Sequence, residues 1–178
     1  LNSIKSLIIE NPSIARRAID LLSDLLRSSL YEKEHITLSI AEELALVKDY
    51  VELEQLRFEE RLHVNFTIDP NLKKCKIPPL SIQLLVENAI KHGVDKQLEG
   101  GTIDIAIQER DGYVAITVKN PGTISVGEPK GLGLKNLKER LLLQYDGRAK
   151  FTIESTTEHE VVATLMIPTE KTWEPIQH

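Results

Sequence analysis

The sequence has 178 residues, enough for one domain or for one domain plus a smaller helical element. It is 41% hydrophobic and 28% charged, ordinary for a globular protein in water, while a net charge of -5 and only 4% aromatic residues exclude a non-specific nucleic-acid binder and a base-stacking RNA platform. No run of ~18 apolar residues occurs, no signal peptide opens the chain, and the single cysteine, Cys75, excludes an intrachain disulfide and fits a reducing, cytoplasmic setting. The chain opens on Leu1 rather than Met, which reads as a piece of a longer protein.

Residues 1–30 read as helical, interrupted at Asn11-Pro12-Ser13, where Pro12 suits a first turn and Asn11 or Ser13 can cap. Beyond it Ile14, Ala18, Leu21, Leu22, Leu25 and Leu26 recur at helical spacing. Residues 31–38 form a polar connection. Ser39 and Glu42 then make an S-x-x-E capping box at the head of a second long helix, which runs without Gly or Pro to about Glu60. That helix carries two apolar stripes: Ile40, Leu44, Val47 and Val51, and beside them Leu46, Tyr50 and Leu53. A helix lying on one core needs a single stripe. Two stripes point either to two neighbours, such as a partner helix and a second chain in a dimeric bundle, or to a helix buried inside one domain.

The pattern changes near residues 58–62, where a domain border is expected between a helical region, residues 1–60, and a second unit, residues 61–170. His63 to Ile68 alternates as a strand, Asp69-Pro70-Asn71 turns, and Lys73-Lys74-Cys75-Lys76 is a basic loop. A helix follows in P-P-L-S-I-Q-L-L-V-E-N-A-I-K-H-G, with Pro79 in its first turn and Gly93 placed to end it. Ile103, Ile105 and Ile107 alternate, Asp111-Gly112 turns, and Val114, Ile116 and Val118 alternate back: a hairpin. A loop dense in Gly and Pro occupies residues 120–130. A helix follows from about Leu132 to Tyr145, broken by Asp146-Gly147, and two strands near residues 151–155 and 161–167 finish the unit. Residues 171–178 read as a frayed tail. The fold class is therefore α+β: a two-layer α/β sandwich, a mixed sheet with helices on one face, preceded by two long antiparallel helices.

Three stretches can carry chemistry. At about 100° per residue, Lys91 and His92 lie within about 60° of Asn88 on one helix. An Asn oxygen is a hard ligand suited to Mg2+, a Lys ammonium neutralises phosphate, and an imidazole can stack on or bond to a base. The plain alternative is the polar end of an amphipathic helix. Gly131-Leu132-Gly133-Leu134 enters a helix, whose free N–H groups and positive dipole end suit phosphate, with Lys130 and Lys135 beside it. It is neither a Walker A motif nor a dinucleotide fingerprint, and a plain turn is the alternative. Asn120-Pro121-Gly122, ending the hairpin, is good turn chemistry that also lets a ligand approach Gly122.

The order of these stretches, with V-E-N-A-I-K-H-G, G-L-G-L-K-N-L-K-E-R-L, L-S-D-L-L-R and Y-V-E-L-E-Q-L-R-F, resembles the catalytic ATP-binding domain of sensor histidine kinases, the Bergerat-type fold shared with gyrase and MutL, and within it the LytS-type family. The resemblance covers nearly the whole chain. It implies ATP and Mg2+ as ligands. It implies Asn88 as the Mg2+ ligand, Lys91 on phosphate and His92 towards adenine. Asn120 and Gly122 match the D-x-G motif that reads the adenine amine. Lys130, Gly131, Leu132, Gly133, Leu134 and Lys135 match the hinge and flanks of a mobile ATP lid, residues 123–130. It implies a homodimer, a response-regulator receiver domain as partner, and membrane anchoring upstream of a cytoplasmic portion.

The departures from the family pattern are specific. Asn120 replaces an Asp, so its carbonyl accepts without charge. A usual Gly-Thr pair is Glu160-Val161 here, which removes a hydroxyl. The general-base position of gyrase-type ATPases, four residues before the metal Asn, is Leu84, and Glu87 lies roughly 100° around the helix from Asn88. The family's phosphoacceptor His precedes an L-N-S-I such as the one that opens this chain, and none of the five histidines, His35, His63, His92, His159 and His178, has its context. The expectation is a nucleotide-binding piece with no catalytic His of its own that does not autophosphorylate. The alternatives are a degenerate binding or dimerisation module and a gyrase-type ATPase.

Overall fold

A computed structural model describes residues 37–123, 132–157 and 159–169, together with Pro12, Ala15 and Ile19, all three helical. Helix α1 spans Ile40–Phe58, α2 Ser81–His92 and α3 Leu132–Tyr145. The strands are β1 (Leu38–Ser39), β2 (Leu62–Ile68), β3 (Lys76–Ile77), β4 (Gly101–Arg110), β5 (Tyr113–Pro121), β6 (Lys150–Thr157) and β7 (Glu160–Pro168). Five of them form one sheet in the order β2-β4-β5-β7-β6, with β2 parallel to β4 and every other pair antiparallel. This is the mixed sheet of the expected sandwich.

Strand period fixes the two faces. Ile103, Ile105 and Ile107 of β4, Val114, Ile116 and Val118 of β5, and Ala163, Leu165 and Ile167 of β7 are buried together with residues of all three helices. The residues between them, such as Asn65, Thr67, Asp104, Gln108 and Lys119, are exposed. Across that open face Asn65 Nδ2 donates to Asp104 at 2.8 Å, between residues in register. The hairpin turn is as expected: Asp111 and Gly112 both take positive φ, 52° and 79°, the geometry an Asp-Gly pair supplies.

Helix α1 bears on several expectations. Its capping box is present, with Glu42 N–H donating to Ser39 Oγ at 3.2 Å and Ser39 N–H to Glu42 at 2.7 Å. The Ser39 hydroxyl holds the Glu42 carboxyl below its ordinary range. Of the two apolar stripes, however, Ile40, Leu44, Val47 and Val51 are buried in the same core as the sheet, and Leu46, Tyr50 and Leu53 are half-buried. Helix α1 thus shares one core cluster with the sheet across the border expected at residues 60 and 61. Its first-turn amides are satisfied from the basic loop: Ile40 N–H donates to the Cys75 carbonyl and Ala41 N–H to the Lys73 carbonyl, both at 2.9 Å. Two strand residues, Leu38 and Ser39, pair with Ile77 and Lys76 where a plain connection was expected. The first expected long helix lies outside the described residues, apart from Pro12, Ala15 and Ile19, and so does the tail at 171–178.

Candidate functional site

Helix α2 is the wall on which the candidate residues stand. Ile82, Leu85, Val86, Ala89 and Ile90 face the core at 1% exposure or less, each of the larger ones worth roughly 1.5–3 kcal/mol of burial. Its N-terminus is not begun by Pro79, as expected. Pro78 and Pro79 precede it, Leu80 takes a left-handed conformation with φ 60°, and Ser81 is the first helical residue. The free amides there are met from outside α2: Glu43 of α1, fully buried, accepts the Ile82 N–H at 2.9 Å. Ser81 Oγ donates to the Pro78 carbonyl at 2.6 Å, and Arg140 of α3 donates to the Pro79 carbonyl at 2.7 Å. One helix from each side therefore holds the start of α2.

The other end of α2 carries Asn88, half-buried, and Lys91 and His92, both exposed. Gly93 ends the helix with φ -101°. That is not the left-handed cap for which glycine is usually chosen. The reason for glycine is packing: a Cβ at Gly93 would overlap Asn120 Nδ2 and the carbonyl oxygens of Ala89 and Pro121. The end of α2 is thereby pressed onto the end of β5. Asn120 is 6% exposed and lies in register with Val161 of β7, also 6% exposed. Its Nδ2 donates to the Pro121 carbonyl at 2.8 Å. Gly122, at φ 135°, sits over the His92 carbonyl at 3.5 Å and Gly93 Cα at 3.6 Å, measured from an added Cβ, and donates its N–H to the His159 carbonyl at 2.9 Å.

Helix α3 reaches the same wall. A Cβ on Gly133 would stand 2.8 Å from Leu84 Cδ2. Leu84, the position of a general base in gyrase-type ATPases, is thus an apolar contact between α2 and α3. Leu134 is 4% exposed and anchors the first turn of α3, and Lys135 is exposed. Leu132 opens the helix, and Lys130 and Gly131 lie outside the described residues. Glu87, next to Asn88, acts on α1: burial first, then the charges of Glu54 and Glu87, push the Tyr50 hydroxyl well up, and burial lifts the Glu54 carboxyl against the lowering by Arg57, helped by Asp95 and Glu87.

Asn88, Lys91 and His92 therefore stand on α2, which packs against β5, bearing Asn120 and Gly122, and against α3, bearing Gly133, Leu134 and Lys135. The donor set suits a nucleotide with Mg2+. An amide oxygen such as that of Asn88 is a hard donor. Among the described residues no group of three His, Cys, Asp or Glu could hold a metal. A cation here would take one protein oxygen and complete its shell with phosphate and water, as Mg2+ does. Sequence reasoning missed Glu43 and Arg140. Glu43 had a readable signal, since it interrupts the apolar stripe between Ile40 and Leu44.

A model of the histidine kinase family matches residues 1–62. The sensor protein LytS of Staphylococcus haemolyticus is 33% identical over 170 residues, covering 88% of this chain and 29% of that protein. The sensor histidine kinase YpdA of Escherichia coli is 37% identical over 156 residues, covering 82% of this chain and 27% of that protein. The chain belongs to the LytS-type sensor histidine kinase family. This chain spans less than a third of the length of those two relatives. The fold agrees with that of a solved histidine kinase, the catalytic domain of ThkA, at a TM-score of 0.53 and 18% identity, covering 74% of this chain and 94% of that one. Among the described residues no helix is long and apolar enough to cross a membrane.

Proposed function

We propose that this chain is the ATP-binding catalytic part of a two-component sensor histidine kinase. The full protein moves the γ-phosphoryl group of ATP to a His on an upstream helix, and from there to an Asp of a response-regulator receiver domain. The observation that carries this reading is the junction of three elements: the Asn88-Lys91-His92 end of α2, the Asn120-Gly122 end of β5 pressed against it through Gly93, and the start of α3 seated on Leu84. In this reading Asn88 ligates Mg2+, Lys91 neutralises phosphate and His92 lies towards the base. Lys130, Gly131, Leu132, Gly133, Leu134 and Lys135 hold the triphosphate. When bound, Mg2+ supplies charge neutralisation at the phosphates, and the chain's own contribution is positioning.

Leu84 and the placement of Glu87 towards Tyr50 and Glu54 favour phosphoryl transfer over steady hydrolysis. No histidine of this chain stands in the acceptor context, so the phosphorylated His belongs upstream. The homodimer proposed for the kinase rests, given the packing of α1, on residues before Thr37. Membrane anchoring and a cytoplasmic position for this part are proposals of the same kind. Calorimetry tests the reading: Mg-ATP binds the wild-type protein, and incubation with γ-labelled ATP leaves no label on it. Retained label, or steady ATP turnover, overturns it. A second reading, a degenerate module without kinase activity, draws on the uncharged Asn120 beside the apolar Val161; absence of ATP and ADP binding would favour it.

A further inference from the structure

Two arginines at the end of α1 converge on the segment that leaves α2. Arg57 Nη2 lies 3.2 Å from Glu54 Oε2 on its own helix and 3.4 Å from Asp95 Oδ1. Arg61 Nη2 donates to the Gln97 carbonyl at 2.8 Å. Both guanidiniums lie over the ring of Phe58, at 4.3 Å and 5.9 Å from its centroid, and Phe58 is buried in the core. A guanidinium stacked on a fixed ring is pre-set in place, as a lysine ammonium would not be. Between the two arginines Glu59 takes φ 53° and ψ -129°. That conformation is unfavourable for a residue with a Cβ and persists only where the surroundings enforce it.

The gripped segment is continuous with the candidate site. Gly93 N–H donates to the Ala89 carbonyl at 2.9 Å and Lys96 N–H to the Gly93 carbonyl at 3.0 Å, so the last turn of α2 runs straight into the short helical turn Val94–Lys96. Val94 is fully buried and pegs that turn to the core. Asp95 and Gln97 are exposed and are held by the two arginines. At the far end Gly100, with φ 75°, leaves no room for a Cβ against the Arg61 carbonyl, so the segment closes on the same residue.

From this geometry we infer that Arg57 and Arg61 are positioning residues for the nucleotide: they set the rotation of residues 94–97 about Val94, and with it the placing of Lys91 and His92, so that the end of α1 tunes nucleotide affinity. This rests on the nucleotide reading of the site. Arg57 and Asp95 are each about half exposed, and an ion pair so exposed contributes little to stability. Its effect is on placement instead, since side chains that hold a ligand work only where a supporting shell fixes them. By linkage, bound nucleotide strengthens the Arg57–Asp95 contact by the same factor as the contact strengthens binding.

The test is calorimetry of Mg-ATP, with thermal melting of each protein. Arg57→Ala, Asp95→Ala and Arg61→Ala are each expected to weaken binding by about threefold to tenfold with little change in melting. The double variant Arg57→Ala/Asp95→Ala binds no more weakly than either single one, because both changes remove one contact. Arg61→Lys, which keeps a donor for the Gln97 carbonyl, recovers part of the loss. In a Lys91→Ala/His92→Ala background, titrated at nucleotide concentrations high enough to saturate it, each effect largely disappears, which a general loosening of the fold would not produce. If Arg61→Ala does not fold, Asp95→Asn, which removes only a charge at an exposed position, is expected to weaken binding as Asp95→Ala does. Wild-type affinity in Arg57→Ala and Asp95→Asn, or losses of undiminished size in the Lys91→Ala/His92→Ala background, overturn the inference and leave the nucleotide reading standing. Failure of the wild type to bind Mg-ATP overturns the nucleotide reading itself.

Discussion

Glu43 on α1 accepts the Ile82 N–H on α2 at 2.9 Å, so the first helix of the sandwich caps the helix that bears Asn88. The carboxylate is fully buried and lies at a helix N-terminus, where a negative group is favoured. Glu43→Ala leaves a buried donor unmet and is expected to cost about 1–3 kcal/mol, with Glu43→Gln, which keeps an acceptor oxygen, costing less. Urea unfolding of the three proteins checks the order. Equal stability of Glu43→Ala and wild type would show that the cap contributes nothing.

Asn88 is half-buried, and no hydrogen bond to its side chain is seen among the described residues. Asn88→Ala should therefore leave the melting temperature nearly unchanged while removing most of the Mg2+ dependence of ATP binding. Titrations with and without Mg2+ read this directly. An unaltered Mg-ATP affinity sinks the metal role.

Two glycines of the site differ in what surrounds them. A Cβ on Gly93 meets backbone carbonyls and the anchored Asn120 amide, whereas one on Gly133 meets only the end of Leu84. Backbone cannot yield cheaply, and a leucine methyl can. Gly93→Ala is expected to destabilise by more than about 2 kcal/mol, and Gly133→Ala by less than about 1 kcal/mol. Reversal of that order in denaturation midpoints would contradict the contact at the end of α2.

The Glu54 carboxyl is raised chiefly by burial, with Arg57 at 3.2 Å opposing the shift and Asp95 and Glu87 adding to it. A carboxyl raised in the folded state binds more protons there than in the unfolded chain, so its contribution to stability falls as pH rises from the unfolded carboxylate range through the folded pKa. Glu54→Gln lacks that term. As pH rises above the ordinary carboxylate range, about pH 4.5, the variant should gain on wild type. Melting curves at rising pH measure the difference, and a variant that loses ground to wild type as pH rises would show the shift has the opposite sign.

Much of the sheet was legible in the sequence because period-2 alternation is a local signal. Ile103, Ile105 and Ile107 followed by Asp111-Gly112 and Val114, Ile116 and Val118 admit little besides a hairpin. The candidate site was legible as an order of motifs, although no motif alone says that Asn120 touches Gly93; that contact is made across 27 residues of chain by packing. The Tyr50 stripe of α1 is only half-buried, and an apolar stripe at the margin of a core reads in sequence like one facing a second neighbour. Gly93 ends α2 where the sequence places it, whereas only the fold shows what crowds it. Glu43 and Arg140 serve backbone groups of α2 distant in sequence, and such partners leave at most a misplaced charge as a trace.

The two-residue ladder of Leu38 and Ser39 with Ile77 and Lys76 has a mechanical consequence. Only Pro78, Pro79 and Leu80 separate that ladder from the first turn of α2. Prolines have a fixed φ and little give, and the Pro79 carbonyl is pinned by Arg140. A tug or twist on the chain where it enters the sandwich is therefore delivered to the base of the helix bearing Asn88 with almost no slack in the path, as a bell rope is tied to its bell.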